Sequence, residues 1–275
     1  KDMDNLTKQS LVEKHIISPE FASSKDENCA ILINDEENIC IMINEEDHLR
    51  MQLFGEGIAI EELMNLAIEI DQKLERLVDY AFSEKYGYLT ACPTNVGTGL
   101  RVSVMVHLPG LAETGNLNKI LHIVNNFGMS VRGVYGEGSQ SMGNMYQISN
   151  NQTLGLTEQE IVKNMKLITD KIIEQERVAR KYLGKNQIGL ADKVYRAFGI
   201  LENARILSSN ECIDLLSDVK LGTDMGIISE LDDTKIKKLF LYTKPANLQK
   251  YYGKVMDSNE RDLKRTDIIR KIVTE

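Results

Sequence analysis

The sequence predicts an α+β fold: a mostly antiparallel β-sheet flanked by helices, followed by a helical C-terminal region. Two observations carry that prediction. Up to about residue 155 short β-rich runs alternate with amphipathic helical stretches, and beyond about residue 185 nearly every apolar pattern has helical spacing. A third observation, the absence of internal repeats and low-complexity tracts, leaves an ordinary globular chain of 275 residues with 42% hydrophobic content, enough for one substantial core or two modest ones.

Taken in order, Cys29–Ile33 and Ile39–Ile43 flank the polar turn Asn34-Asp35-Glu36-Glu37-Asn38 and read as a hairpin. From Ile60 to Phe82 apolar residues fall at Leu63, Leu66, Ala67, Ile70, Leu74, Leu77, Val78 and Ala81, the stripe of a helix buried on one side. A short strand is expected around Tyr88–Ala91, a Gly-rich turn at Asn95–Gly99, and a strand over Leu100–Leu108. Leu117–Phe127 has helical spacing and stops at Gly128. The strands Met129–Val134 and Met145–Ile148 bracket a loop with Gly133, Gly136, Gly138 and Gly143, too polar for a core and suited to a ligand. Thr157 through Glu160 forms a capping box that opens a long helix to about Tyr182. Helices are expected over Asp192–Leu201, Ser209–Leu221 and from about Ser258.

The net charge of −8 argues against a general nucleic-acid binder, because phosphate neutralisation needs an excess of Lys and Arg. No apolar run approaches the ~20 residues that span a bilayer, and the N-terminal residues have no apolar signal core, so the expectation is no membrane association and a cytoplasmic location. Cys29, Cys40, Cys92 and Cys212 are widely separated, without a CxxC pair, which fits thiols in a reducing compartment better than a disulfide framework or a zinc site.

Three segments carry chemistry. In Asn44-Glu45-Glu46-Asp47-His48-Leu49-Arg50 three acids stand beside a guanidinium: either a solvated strand end or a carboxylate base able to orient a cation and take its proton. In Ala91-Cys92-Pro93-Thr94-Asn95-Val96-Gly97-Thr98-Gly99-Leu100-Arg101 the glycines permit close backbone approach to a ligand, and Cys92 is either filler or a thiolate paired with a cation. No Walker loop is present, because the Gly-Lys-Ser/Thr ending is missing. The third segment runs Arg132-Gly133-Val134-Tyr135-Gly136-Glu137-Gly138, then Gly143-Asn144-Met145-Tyr146-Gln147-Ile148-Ser149-Asn150. Arg50, Arg101 and Arg132 each adjoin a strand end and an acidic or Gly-rich turn, an arrangement that would suit a triphosphate if the three converge.

In this order the three segments resemble the signature motifs of the phosphagen (ATP:guanido) kinases, in particular the bacterial protein-arginine kinases (McsB). The likeness runs through nearly all 275 residues, including Leu11–Pro19 and the helical tail. The resemblance implies the phosphagen-kinase catalytic fold, glutamine-synthetase-like, over residues 1–184, and a helical C-terminal region over 185–275. It implies Glu46 as the catalytic base, Glu137 as the second carboxylate on the substrate guanidinium, Cys92 as the thiolate contacting the same group, and Arg50, Arg101 and Arg132 on the ATP phosphates. The cofactors implied are ATP and Mg2+, the metal held mainly by the nucleotide and water, so no protein metal ligands are expected and His48 reads as structural.

Three departures accompany the likeness. The family segment with the SxRIRxxRN pattern, which supplies two further phosphate-binding arginines, is not in this sequence, so the catalytic domain is expected to be N-terminally incomplete. Met105 stands where metabolite kinases carry a His associated with adenine, and Gln147 replaces their Asp; both changes are like those of the protein-arginine kinases.

In the tail, Arg261 and Arg265 lie at i and i+4 around Asp262. Alone this is an exposed charged helix; it also resembles the RDxxRA phosphoarginine-binding motif, in which the arginines grip phosphate and the Asp holds a guanidinium, with Thr266 in place of Ala. The function implied is a protein-arginine kinase that marks proteins for Clp-protease degradation or regulation. Its implied partners are arginine-bearing protein substrates, an McsA-like activator, a ClpC-type unfoldase, a CtsR-type repressor as substrate, and a second copy in a homodimer. The rival readings are a kinase for free arginine or another small guanidine, and a catalytically silent chain that binds phosphoarginine or partners through residues 185–275.

Overall fold

A computed structural model describes residues 3–134 and 141–274. The chain opens with α1 (Asn5–Glu13), capped by Asp4, and α2 (Pro19–Ser23), capped by Ser18. The expected hairpin follows as β1 (Ala30–Ile33) and β2 (Ile39–Ile43), joined in register Ile33↔Cys40. Period-two alternation sends Cys40 and Met42 fully inward, where they meet Leu11, Ile16, Ile17 and Ala22. Asn44 then takes φ 56° and accepts the turn, and the chain returns as β3 (Leu49–Leu53), with Ile43 opposite Leu49. The acidic segment is therefore the turn of a second hairpin and not a strand end running into a loop.

Helix α3 covers Ile60–Glu75 and stops short of the expected Phe82. Beyond Glu75 the apolar residues no longer find a core: Leu77 is 80% exposed, and Tyr80 folds back to donate its hydroxyl to Asp71 at 3.0 Å. The next residues form a two-stranded hairpin, β4 (Phe82–Ser83) with β5 (Gly87–Tyr88), shorter than the strand expected around Tyr88–Ala91. After a 3₁₀ turn at Pro93–Asn95 come β6 (Ser103–His107), α4 (Pro109–Glu113), α5 (Leu117–Asn126), β7 (Met129–Gly133) and β8 (Met145–Asn150). Strands pair antiparallel in the order β6-β8-β7. The antiparallel pairing is as expected, but the described residues distribute it over three small sheets instead of one.

Helix α6 (Glu158–Leu183) begins at the Thr157–Glu160 capping box, both reciprocal bonds being formed. Its Val162, Met165, Ile168, Ile172 and Ala179 close over Val106, Met129 and Ile148 of the third sheet. The remaining helices are α7 (Gln187–Asn203), α8 (Ser209–Asp224), α9 (Asp233–Tyr242), α10 (Pro245–Tyr252) and α11 (Ser258–Thr274). They share their own core around Val194, Leu201, Leu216, Leu239, Leu248 and Ile269.

Two polar joints tie the parts together. Glu13 caps α10, its carboxylate accepting from the Ala246 and Asn247 amides at 2.7 and 2.8 Å, while Lys244 donates to the Glu13 carbonyl. The second joint is Glu176, 5% exposed, which accepts from the Gly110 and Leu111 amides at 2.8 Å each and from Arg180 Nε at 2.6 Å. Arg180 continues to Asp224 of α8 and to the His107 carbonyl at the end of β6.

Candidate functional site

The β2–β3 turn presents its acids in alternation. Glu45 turns inward: its carboxylate, 6% exposed, accepts from Ser18 Oγ at 2.6 Å, from the Glu46 amide at 2.7 Å and from Arg50 Nη1 at 3.0 Å. Burial pushes its pKa up, but those three donors outweigh burial and hold it below the usual carboxylate range. Glu46 faces solvent. Asp47 turns the other way and accepts from the Ala91 amide at 2.6 Å, joining this turn to the Cys92 segment 44 residues on. The family resemblance singled out Glu46 and the strand-end position singled out Arg50, and neither assigned a role to Glu45, which holds Arg50, or to Asp47, which holds the Ala91 amide.

The Cys92 turn is held from beneath by Thr153, 6% exposed, whose hydroxyl lies 2.8 Å from both the Thr94 and Val96 carbonyls. Gly97, at φ 112°, exchanges backbone hydrogen bonds with Tyr88, and a Cβ on it would sit 2.4 Å from the Thr153 carbonyl oxygen, so only glycine fits. Asn150 closes the other flank by accepting from the Val102 amide and donating to the Leu100 carbonyl. Cys92 is left half-buried with its sulfur 3.0 Å from Thr94 Oγ1. Thr153 carried no sequence signal, and Asn150, though it ends the third signature segment, was assigned no role, since each acts on a turn about 50 residues away.

On the third sheet Arg132 lies opposite Gln147, and Gln147 opposite Met105, so the three share one row across β7, β8 and β6. Met105 is 42% exposed and Arg132 is exposed, leaving this row open. Glu137 lies outside the described residues. The C-terminal root of its loop is anchored to α8: the Gly143 amide donates to Asp214 at 2.9 Å, and Ser217 Oγ meets Asn144 Nδ2 at 3.1 Å and His107 Nε2 at 2.9 Å. Gly143, at φ 63°, allows this approach; a Cβ there would lie 2.5 Å from Ile213 Cγ2.

Arg101 shows that the segments meet. Its pKa is lowered first by burial and then by the charges of Arg132 and Arg50, while Cys92 and Glu46 pull the other way. Arg132, Arg50, Cys92 and Glu46, drawn from all three segments, thus lie within electrostatic reach of Arg101. Among the described residues neither Arg101 nor Arg132 makes an ion pair, so their charge is available to an anion. A cluster of mutually repelling guanidinium groups is destabilising in isolation and becomes favourable when a polyanion neutralises it. The residues present therefore fit nucleotide phosphates, with a carboxylate and a thiol near Arg101 suited to a guanidinium. Among the described residues no group of three or more His, Cys, Asp or Glu could hold a metal ion.

Residues 1–179 match the C-terminal catalytic domain of ATP:guanido phosphotransferases, and residues 187–275 match the protein-arginine kinase McsB C-terminal domain. The chain belongs to the ATP:guanido phosphotransferase family. Curated relatives named protein-arginine kinase include those of Halothermothrix orenii, 52% identical over 98% of this chain and 77% of the relative, and Bacillus subtilis, 46% identical over 98% and 74%. Among solved structures, the duplicated taurocyamine kinase from Schistosoma mansoni with bound transition state analog components aligns with TM-score 0.58 and 25% identity, covering 86% of this chain and 32% of that one. A lombricine kinase aligns with TM-score 0.52 and 30% identity over 64% of this chain and 52% of its own.

The second constellation of this ATP:guanido phosphotransferase behaves differently from its sequence reading. Arg261 is half-buried and donates to the Met256 carbonyl at 3.0 Å. Arg265 is 1% exposed: Nε donates to the Thr243 carbonyl at 2.8 Å and Nη1 to the Leu207 carbonyl at 2.5 Å and to Asp262 at 2.6 Å. The two arginines are thus not equivalent members of one open face. Arg265 holds α11 to the loop before α8 and orients Asp262, because i and i+4 side chains diverge when one of them is drawn into a core lined with free carbonyls.

Proposed function

We propose that this chain is a protein-arginine kinase, transferring the γ-phosphoryl group of ATP to arginine side chains of proteins. The observation that carries the reading is the convergence of Glu46, Cys92, Arg50 and Arg132 on Arg101. A site that gathers an acid, a thiol and guanidinium groups around Arg101 has chemistry for each reactant. Arg50, Arg101 and Arg132 hold the phosphates and neutralise charge that moves outward in the transition state. Glu46 orients the incoming guanidinium and accepts its proton as the N–P bond forms and the bond to the β-phosphate oxygen breaks, releasing ADP; Cys92 contacts the same guanidinium. Glu45 keeps Arg50 in place and Asp47 keeps the two turns in register, so most of the acceleration comes from alignment. Mg2+, when bound with the nucleotide, supplies further charge neutralisation.

Support for a protein substrate over a free guanidine comes from the curated relatives' name and from Met105 and Gln147, which sit together beside Arg132. Glu137 completes the proposed guanidinium clamp. The catalytic part corresponds to residues 1–184 and the helical part to 185–275, where Arg261 and Asp262 receive phosphoarginine while Arg265 supports them. The remaining elements of the reading are a cytoplasmic location, a role in stress response, a homodimer, and work with an McsA-like activator, a ClpC-type unfoldase and a CtsR-type repressor as substrate. No helix among the described residues is long and apolar enough to cross a membrane.

The test is transfer of labelled phosphate from Mg-ATP to an arginine-rich protein and, separately, to free arginine, using this chain and its Glu46→Gln and Cys92→Ala variants. Label on protein that is lost with Glu46→Gln supports the reading. Full activity in Glu46→Gln would remove the base assignment, and label on free arginine alone would transfer the activity to the small-guanidine class.

A further inference from the structure

We propose that the hollow between the end of α3 and the β4–β5 hairpin is a docking pocket for a second basic side chain of the protein substrate. That residue, Arg or Lys, stands about four positions from the arginine being phosphorylated. The proposal rests on the protein-arginine kinase reading and adds a sequence preference to it.

The hollow has a volume of about 320 Å3 and is lined by Glu75, Val78, Asp79, Tyr80, Phe82 and Tyr88. Three of these are aromatic, packed edge to face around Tyr88: Tyr80 at a centroid distance of 5.7 Å and Phe82 at 5.3 Å. They are not core residues, since Phe82 is 58% exposed and Val78 43%. Aromatic rings gathered at a surface attract a cation through the negative potential of their faces, and here carboxylates add to that potential. Burial raises the hydroxyl pKa values of Tyr80 and Tyr88, and the negative charges of Asp71 and Glu75 raise both further.

Two of the three bases nearest in sequence are engaged elsewhere, while Arg76, next to Glu75, makes no ion pair among the described residues. Lys73 pairs with Glu69 at 2.6 Å, and Lys85 lies over the Tyr86 ring. Among the described residues neither Glu75 nor Asp79 makes an ion pair. An apolar, aromatic and acidic hollow selects a long cationic side chain, whose methylenes cover the rings while its head meets the carboxylates.

Its position limits the spacing to about four residues. Tyr88 is bonded through its backbone to Gly97, inside the turn that carries Cys92, so the hollow and the guanidinium site are parts of one rigid construction. The four residues from Tyr88 to Cys92 span at most about 14 Å when extended. An extended substrate rises ~3.3 Å per residue and alternates its faces, so side chains four positions apart point the same way about 13 Å apart. A substrate with Arg in the reaction site can therefore place a second base over Tyr88.

Two measurements on this chain test the proposal. In the first, a lysine-containing, arginine-free hexapeptide is titrated calorimetrically at low salt into the chain and into the isosteric surface variant Glu75→Gln/Asp79→Asn, with Phe82→Ala as a second variant that leaves the charges alone. Cation–π and ionic terms of this kind predict roughly fivefold to tenfold weaker binding in each variant. Equal binding by all three proteins overturns the pocket. In the second, phosphorylation is followed on two peptides that differ only in Lys or Ala four positions from a single Arg. The Lys peptide is expected to have a several-fold lower KM with the unaltered chain, with kcat unchanged, and to lose that advantage in both variants. The same advantage in chain and variants overturns the proposal. If neither peptide is phosphorylated, the kinase reading fails, and the lysine-peptide titration still decides the hollow by itself.

Discussion

Replacing Glu176 by Gln tests the joint between the catalytic sheet and the helical region. The substitution keeps the volume of a side chain that is 5% exposed, yet removes the charge that accepts from Gly110, Leu111 and Arg180. It also turns one acceptor oxygen into an amide donor facing other donors. Burial works against the charge on Arg180, but Glu176 and Asp224 outweigh it and raise its pKa. Without Glu176 the guanidinium, 18% exposed, keeps only Asp224 as an acidic partner. Breaking a buried pair in this way costs about 3–5 kcal/mol, a large share of the ~5–15 kcal/mol that separates folded from unfolded chains. With a urea m-value of about 3 kcal/mol/M, the unfolding midpoint should fall by roughly 1–1.7 M. The assay is urea unfolding followed by far-ultraviolet dichroism, in a cycle with Arg180→Met. Because the joint links two separate apolar cores, the variant should also unfold over a broader range than the parent. A midpoint shift below about 0.3 M, or strictly additive effects of the two substitutions, would refute the argument that Glu176 and Arg180 act as one strut.

Acid should weaken the chain through His107. Burial and the nearby Arg180 and Lys220 lower its pKa to about 3, so the unfolded chain takes up a proton below about pH 6.5 and the folded chain does not. Stability then falls as pH drops from 6.5 towards 3, by about 2–3 kcal/mol at pH 4.5; His107→Gln should lessen this slope in urea midpoints, and an unchanged slope would contradict the assignment. Native alkylation at pH 8 followed by mass spectrometry should modify Cys29 and Cys92 before Cys40 and Cys212, whose thiols burial pushes up to about 11 and about 12. Early loss of Cys212 would mean that the helical core opens readily. Arg261→Ala should abolish binding of free phosphoarginine with the unfolding midpoint unchanged, whereas Arg265→Ala should lower stability by about 3 kcal/mol or more; equal stability in the two variants would show that the Arg265 contacts contribute little.

Features encoded by neighbours in sequence were legible from the sequence alone. The Thr157–Glu160 box marked the first turn of α6 because both partners of the cap lie within four residues, and the β1–β2 hairpin was marked by a polar turn between two apolar runs. The end of α3 was not legible: Leu77 and Val78 continue the apolar stripe, yet they project from the helix end where no packing partner waits. Helices α9 and α10 escaped because ten and eight residues give too few turns for periodicity to stand out, and tertiary packing, not pattern, stabilises them. In the candidate site Arg50, Arg101 and Arg132 were found from their place at strand ends and turns and Glu46 from the family resemblance, whereas the bracing roles of the neutral Thr153, Asn150 and Ser217 were not, since a hydroxyl or amide in a strand or helix looks the same whether or not it holds a distant turn.

Arg265 shows why this asymmetry matters for function. Spacing places Arg261 and Arg265 on one helical face, and spacing cannot tell which of the two the core will claim. The structure gives Arg265 the Thr243 and Leu207 carbonyls, and the Asp262 carbonyl in turn accepts from the Leu207 amide. The acid at the centre of the tail motif is thereby tied to the loop that leads directly into α8, the helix whose Asp214 and Ser217 hold the root of the glycine loop beside the sheet. A ligand that draws the Asp262 carboxylate from Arg265 competes for the same Nη1 that holds the Leu207 carbonyl, two residues before α8. The physical connection between the tail and the catalytic sheet runs through hydrogen bonds of named residues, each of which can be removed singly.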